Sequence, residues 1–181
     1  MLCKLTAPLL LLALRATAQS TTATTSAPLP TLTPDWFFVR AVAEPNFHSY
    51  LQTKPTAMPS IAYLDSNTNA GQFNIIEGQL VYHTSEDGSL YMNVENPQDK
   101  TQRKLTTWFN TTENAYGEFA FQGDTVTWSV EDIARPNTAA WLVCEEQQIF
   151  INTGAYGWET PEGCADQTVS LSVLFRCFGS G

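Results

Sequence analysis

The segment that decides the fold is "QLVYHTSEDGSLYMNV", Gln79 to Val94. Leu90, Met92 and Val94 share one side of its second half, with polar or amphipathic residues between them. Asp87-Gly88 stands between the two halves. An Asp-Gly step between such runs is a strong hairpin signal, because the tight turn needs positive φ and Gly adopts it without a Cβ clash. A period of two sends successive side chains to opposite faces. The segment therefore reads as an antiparallel hairpin whose second strand has one wet face.

The same period recurs outward from it. "TVTWSV" puts Val126, Trp128 and Val130 on one face and Thr125, Thr127 and Ser129 on the other. "TVSLSVLF" aligns Val169, Leu171, Val173 and Phe175. "GQFNI" pairs Phe73 with Ile75, and "GEFAFQGD" pairs Phe119 with Phe121. Turn signals at 77–79, 85–89, 95–100 and 122–124 separate these runs. Short strands at this spacing predict an all-β single domain, an antiparallel sandwich or barrel with little helix. Two short helical pieces are expected: a turn or two in "NFHSYLQTK", residues 46–54 after Pro45, and one turn in "SVEDIARPN" before Pro136.

The N-terminus "MLCKLTAPLLLLALRATAQS" has Lys4, then an apolar stretch, then Ala16-Thr17-Ala18. That is the pattern of a secretory signal peptide over residues 1–18. The apolar run is about half of the roughly 20 residues a spanning helix needs. Residues 19–35 are mostly Ser, Thr, Ala and Pro, and read as a flexible linker with the composition of an O-glycosylated tether. The β domain is assigned to residues 36–181. The C-terminal "VSLSVLFRCFGSG" is too short and polar for a lipid-anchor signal. No membrane insertion is expected.

Removing the leader takes Lys4 and Arg15 with it. Seven basic residues then face eighteen acidic ones, a net charge of −11. The acids are scattered, and no basic stripe could neutralise phosphates, so nucleic acid is not an expected partner. Asn110-Thr111-Thr112 is the sole N-glycosylation sequon, in a turn-like setting that predicts a surface glycan on Asn110.

Motifs of known chemistry are missing. There is no H-E-x-x-H, G-x-S-x-G or C-x-x-C. His48 and His83 read as packing and strand residues. Glu131-Asp132 and Glu145-Glu146 read as solvated turn or edge pairs. No metal, cofactor or catalytic residue is assigned; a glycoside hydrolase or lyase is the enzymatic alternative. The chain has five tryptophans and six tyrosines. Trp36, Trp108, Trp128 and Trp141 accompany apolar runs and read as core. Tyr156 and Trp158 lie instead in the glycine-flanked "NTGAYGWETPEGC". They are the candidate ligand-binding residues, because exposed rings stack on sugar faces while their polar tips reach hydroxyls. The competing reading folds both rings down as a lid.

Cys144, Cys164 and Cys177 remain after the leader. In an oxidising compartment Cys144–Cys164 is the preferred disulfide. It closes a loop of roughly 20 residues, worth about 3 kcal/mol by chain entropy. Cys164–Cys177 is the alternative.

"AGQFNIIEGQLVYHTSEDGSLYMNV" with "GDTVTWSV", "AAWLVC", "IFINTG" and "TPEGC" resembles small secreted fungal proteins related to the cell wall protein PhiA. The resemblance covers residues 61–168 and is strongest at Cys144 and Cys164. It implies an extracellular or wall-associated protein and implies no catalytic residues. The expectation is a secreted, non-catalytic fungal β-protein of the cell wall, partnered by wall polysaccharide or wall proteins. A secreted effector acting on a host protein is the second expectation.

Overall fold

The computed structural model describes residues 31–84 and 88–173. The expected signal peptide, most of the linker, the turn at 85–87, Phe175 and Cys177 lie outside the described residues.

Thirteen strands are described. They are β1 (Phe37–Ala41), β2 (Tyr50–Thr53), β3 (Ser60–Asp65), β4 (Gln72–Ile76), β5 (Gln79–His83), β6 (Ser89–Val94) and β7 (Lys104–Asn110). There follow β8 (Glu118–Gln122), β9 (Thr125–Ser129), β10 (Trp141–Val143), β11 (Ile149–Asn152), β12 (Ala165–Gln167) and β13 (Val169–Ser172). Every pairing is antiparallel. The fold is all-β, as the alternation predicts, and it is a barrel.

Seven strands close the ring: β1, β4, β5, β6, β7, β3, β2 and back to β1. The quoted hairpin is its β5–β6 wall, with Tyr82 opposite Leu90 and Val81 opposite Tyr91. Next to it, β4 and β5 meet through a two-residue turn, Glu77-Gly78, with both residues at positive φ. That is the twist-compatible hairpin geometry. The ring shuts at β1, where Phe37 pairs with Phe73 and Arg40 with Tyr50. The Gly71 amide donates to the Leu51 carbonyl at 3.0 Å where β4 and β2 meet. Closure leaves the ring strands without the free edges that invite aggregation.

Two three-stranded extensions grow from this ring. One runs β13, β9, β8 from β1, and the other runs β11, β10, β12 from β7. Strands β12 and β13 are consecutive, so the chain passes from one extension to the other at Thr168. Gln167, fully buried, marks the crossing. Its side-chain oxygen accepts from the Val42 and Ala43 amides, and its amide nitrogen donates to the Ala43 carbonyl. A side chain thus supplies the hydrogen bonds that the sheet lacks there.

The inward faces form one continuous core that includes Phe73, Leu80, Met92, Phe109, Trp128 and Trp141. Each such side chain contributes about 1.5–3 kcal/mol on burial. The two indole N–H groups are satisfied: Trp128 donates to the Tyr116 carbonyl and Trp141 to the Val126 carbonyl. Gly117 lets the chain run against Trp128. It sits at φ +73°, and a Cβ there would come within 2.5 Å of the indole and 2.6 Å of the Ser129 carbonyl.

Several expectations are corrected. Residues 46–54 form no helix. Residues 46–49 turn, with His48 at positive φ, and 50–53 are β2, a strand buried at all four positions. Burial between two neighbouring strands overrides local propensity there. Residues 130–133 form a turn closed by a Val130–Ile133 bridge instead of a helical turn. The described helical pieces are single 3-10 turns at Asn67–Asn69 and Glu145–Gln147. Val173 is exposed, because β13 ends at Ser172. Thr127 is buried rather than wet, and its hydroxyl donates to the Ala120 carbonyl at 3.0 Å. Trp141 and Trp128 are core, whereas Trp36 and Trp108 are half-buried. Trp36 stacks on His83 with ring centroids 4.7 Å apart.

Arg135 joins the two extensions. Its guanidinium donates to the carbonyls of Asn152 (2.9 Å), Thr138 (3.0 Å), Ala140 (2.5 Å) and Trp128, and lies over the Trp128 ring at 5.5 Å. Burial lowers its pKa to about 10, which leaves it charged at neutral pH. Arg135→Ala takes a donor from four carbonyls, of which Thr138 and Ala140 keep a backbone amide, and is expected to cost about 3 kcal/mol. Arg135→Lys recovers little of that, since an ammonium cannot span the fork. Urea unfolding of the two variants measures both effects.

Candidate functional site

The candidate rings ride on the connection from β11 to β12. Cys144 follows β10 and Cys164 precedes β12. These two strands pair with Val143 opposite Ala165, so the cysteines face each other at the next register position. They are bonded, with Cα atoms 3.9 Å apart. The preferred pairing holds, and Cys164–Cys177 is excluded. The disulfide closes the base of the loop.

The loop is held from beneath as well. Arg103, just before β7, donates through Nη2 to the carbonyls of Ala155 (2.9 Å) and Trp158 (2.5 Å). Gly154 makes room for it, because a Cβ there would overlap the Arg103 guanidinium at 0.9 Å. Asn152 Nδ2 donates to Asp166 at 2.7 Å, and the Thr160 hydroxyl donates to the other Asp166 oxygen. The Thr153 amide donates to the Arg103 carbonyl, and the Thr153 hydroxyl to the Gln102 carbonyl.

On this base Tyr156 is 43% exposed and Trp158 is 67% exposed. The rings do not form a buried lid. Burial first, then the charge of Asp166, raises the Tyr156 pKa, so the phenol stays protonated and can donate a hydrogen bond. The arrangement offers two outward aromatic surfaces on a cross-linked loop. Asn110 is the last residue of β7, half-exposed, and its Oδ1 accepts the Thr111 amide. Arg103 adjoins the other end of that strand, roughly 20 Å away at strand rise.

Sequence reasoning did not find a second feature. An open groove of about 790 Å³ lies between the β4–β5 turn, residues 114–118 and the turn after β9. Glu77, Glu118, Glu131 and Asp132 bring carboxylates to it. At one end the Tyr116 hydroxyl donates to Asp132 (2.7 Å) and accepts from Lys100 (2.9 Å), and Lys100 also pairs with Asp132 at 2.8 Å. The hydrogen bonds from Lys100 and Tyr116 hold the Asp132 carboxyl below its ordinary range. Burial is the main cause that raises the Tyr116 pKa. The unit is therefore ammonium, phenol and carboxylate at neutral pH. No histidine lines the groove. Among the described residues, no group of three His, Cys, Asp or Glu is placed to hold a metal.

The signal for both supports was the basic cluster "KTQRK", residues 100–104. Lys100 reaches Asp132, Arg103 reaches the aromatic loop, and Lys104 lies over the Phe150 ring at 4.8 Å. Which acid or carbonyl each cation meets is set by the barrel and has no local trace.

Two predictions follow from this geometry. Cys144→Ser/Cys164→Ser is expected to lose about 3 kcal/mol in urea unfolding, with faster proteolytic cutting between 153 and 163. The second concerns acid. Asp132 has a folded pKa below its ordinary value of 3.8. Its contribution is complete above that value and is lost as pH falls through the folded one. Asp132→Asn should lower the melting temperature at neutral pH and flatten its decline at acid pH, in a melting series taken across that range.

The chain matches no family model, no curated protein and no solved structure, so its function is read from its own geometry.

Proposed function

We propose that this chain is a secreted, non-catalytic β-barrel protein of the extracellular space or fungal cell wall, and that it binds wall polysaccharide through Tyr156 and Trp158. The exposure of Trp158 on a loop anchored at both ends carries the reading. Exposing an indole forgoes the roughly 1.5–3 kcal/mol that burying it would contribute. A loop that is cross-linked, bonded to Arg103 and still presents the ring outward is built for a partner. Rings with few rotatable bonds lose little entropy on binding, which suits stacking on a sugar. The Cys144–Cys164 disulfide supports an oxidising, extracellular setting.

The acid-lined groove favours one second reading, a carbohydrate-active enzyme. Glycoside hydrolysis needs two carboxyl groups across a sugar, one of them protonated. Asp132 is held ionised by Lys100 and Tyr116, so a proton donor would have to be Glu77, Glu118 or Glu131. Release of new reducing ends, abolished by Glu118→Gln or Glu131→Gln, would establish that reading over the first.

Retention on insoluble chitin and β-glucan tests the main proposal. The native protein is expected to be retained, and Trp158→Ala to lower its affinity about tenfold, equivalent to about 1.4 kcal/mol. Wash-out of the native protein in plain buffer, or equal retention of the variant, would overturn it.

A further inference from the structure

We propose that the Tyr156–Trp158 loop selects a polymer of amine-bearing sugars, such as partly deacetylated chitin, over neutral or uronic-acid polymers. The inference rests on the polysaccharide reading above and adds the charge of the ligand.

Carboxylates lie on the loop and beside its base. Glu159 follows Trp158 directly and Glu162 lies three residues on, and both are exposed. Glu145 lies alongside: a Cβ on Gly163 would stand 3.5 Å from its side chain. It adjoins the other half of the disulfide, so the acids flank the loop from both of its anchored sides. Asp166 sits close enough to act on the Tyr156 hydroxyl through its charge.

The cation at the loop is turned beneath the rings. Arg103 is the basic residue at the loop, and its Nη2 is committed to the Ala155 and Trp158 carbonyls beneath the rings. Arg103 keeps its charge there, and Glu145, Glu159, Glu162 and Asp166 outnumber it, so the net charge of the loop region is negative. An ammonium group on a bound sugar gains from the carboxylates and from the electron-rich ring faces, where a cation is worth about 0.5–1 kcal/mol at exposed sites. Surface ion pairs add a further fraction of that each and weaken with salt. An N-acetylated sugar keeps the stacking and loses both charge terms. A uronate is repelled.

Binding of three hexasaccharides to the full chain separates these cases: glucosamine, N-acetylglucosamine and galacturonic acid oligomers, followed by tryptophan fluorescence and calorimetry at mildly acidic pH. The glucosamine oligomer should bind about tenfold tighter than the N-acetylated one at low salt, and galacturonate should not bind. In about 0.5 M salt, where charges are screened beyond a few ångströms, the preference should shrink severalfold. Glu159→Gln/Glu162→Gln should cut it about threefold at low salt, about 0.7 kcal/mol, while leaving N-acetylglucosamine binding unchanged. Both substitutions are on exposed residues, and an unaltered melting temperature establishes that the fold is intact. Equal affinities for the two amino-sugar oligomers, or a preference undiminished by the double substitution, would overturn the inference while leaving the aromatic platform standing. Binding indifferent to Trp158→Ala would overturn the platform itself.

Discussion

One guanidinium holds the two halves of the extended sheet together. Arg135 stands on the connection after β9 and collects carbonyls from Trp128, Thr138, Ala140 and Asn152. Trp128 belongs to the extension that grows from β1, and Asn152 to the one that grows from β7. The Thr138 and Ala140 carbonyls each accept one backbone amide, from Trp128 and Asn152, and Arg135 gives them a second donor. Unmet acceptors in a half-buried site cost about 1–3 kcal/mol each. A planar cation with five donors meets several at once, which no neutral side chain matches. The Trp128 face below adds a favourable surface for the charge. Desolvation is the opposing cost, visible in the lowered pKa.

That constraint propagates to the surface. Asn152, whose carbonyl meets Arg135, donates through its side chain to Asp166, which in turn accepts from Thr160 in the aromatic loop. Arg103 makes the second connection, from the start of β7 to the Ala155 and Trp158 carbonyls. The disulfide makes the third. Trp158 is thus exposed at the tip of a loop tied to the core by three independent routes. A ring held this way pays little ordering entropy when a ligand arrives.

Alternation is a local property, so the hairpin at 79–94 and the inward face of β6 were legible from the sequence. Residues 50–53 were not. Tyr50, Leu51, Gln52 and Thr53 are all buried, and a strand covered on both faces shows no alternation. The disulfide was legible because both cysteines border strand-like runs that pair in register. The outward pose of Tyr156 and Trp158 was not, since loop residues beside glycines follow no period. The groove escaped for a different reason. Glu77, Tyr116 and Asp132 come from three separate connections, and only the closure of the barrel brings them together.

The loop and the groove share one segment, the β6–β7 connection, which sends Lys100 to Asp132 and Arg103 beneath the rings. Their polar groups are used differently. In the groove, Gln79 and Asn114 exchange hydrogen bonds, Asn114 also binds the Val94 amide, and Tyr116 is bonded to both Lys100 and Asp132. Those groups stabilise the fold where they stand, and a ligand would have to compete with them. At the loop, Arg103 and Thr153 bond to backbone carbonyls below and Asp166 is met by Asn152 and Thr160, while the Tyr156 and Trp158 rings and the Glu159 and Glu162 side chains are exposed. Binding there displaces water rather than protein contacts. That difference in what a ligand must break is why the aromatic loop, and not the larger groove, carries the functional reading.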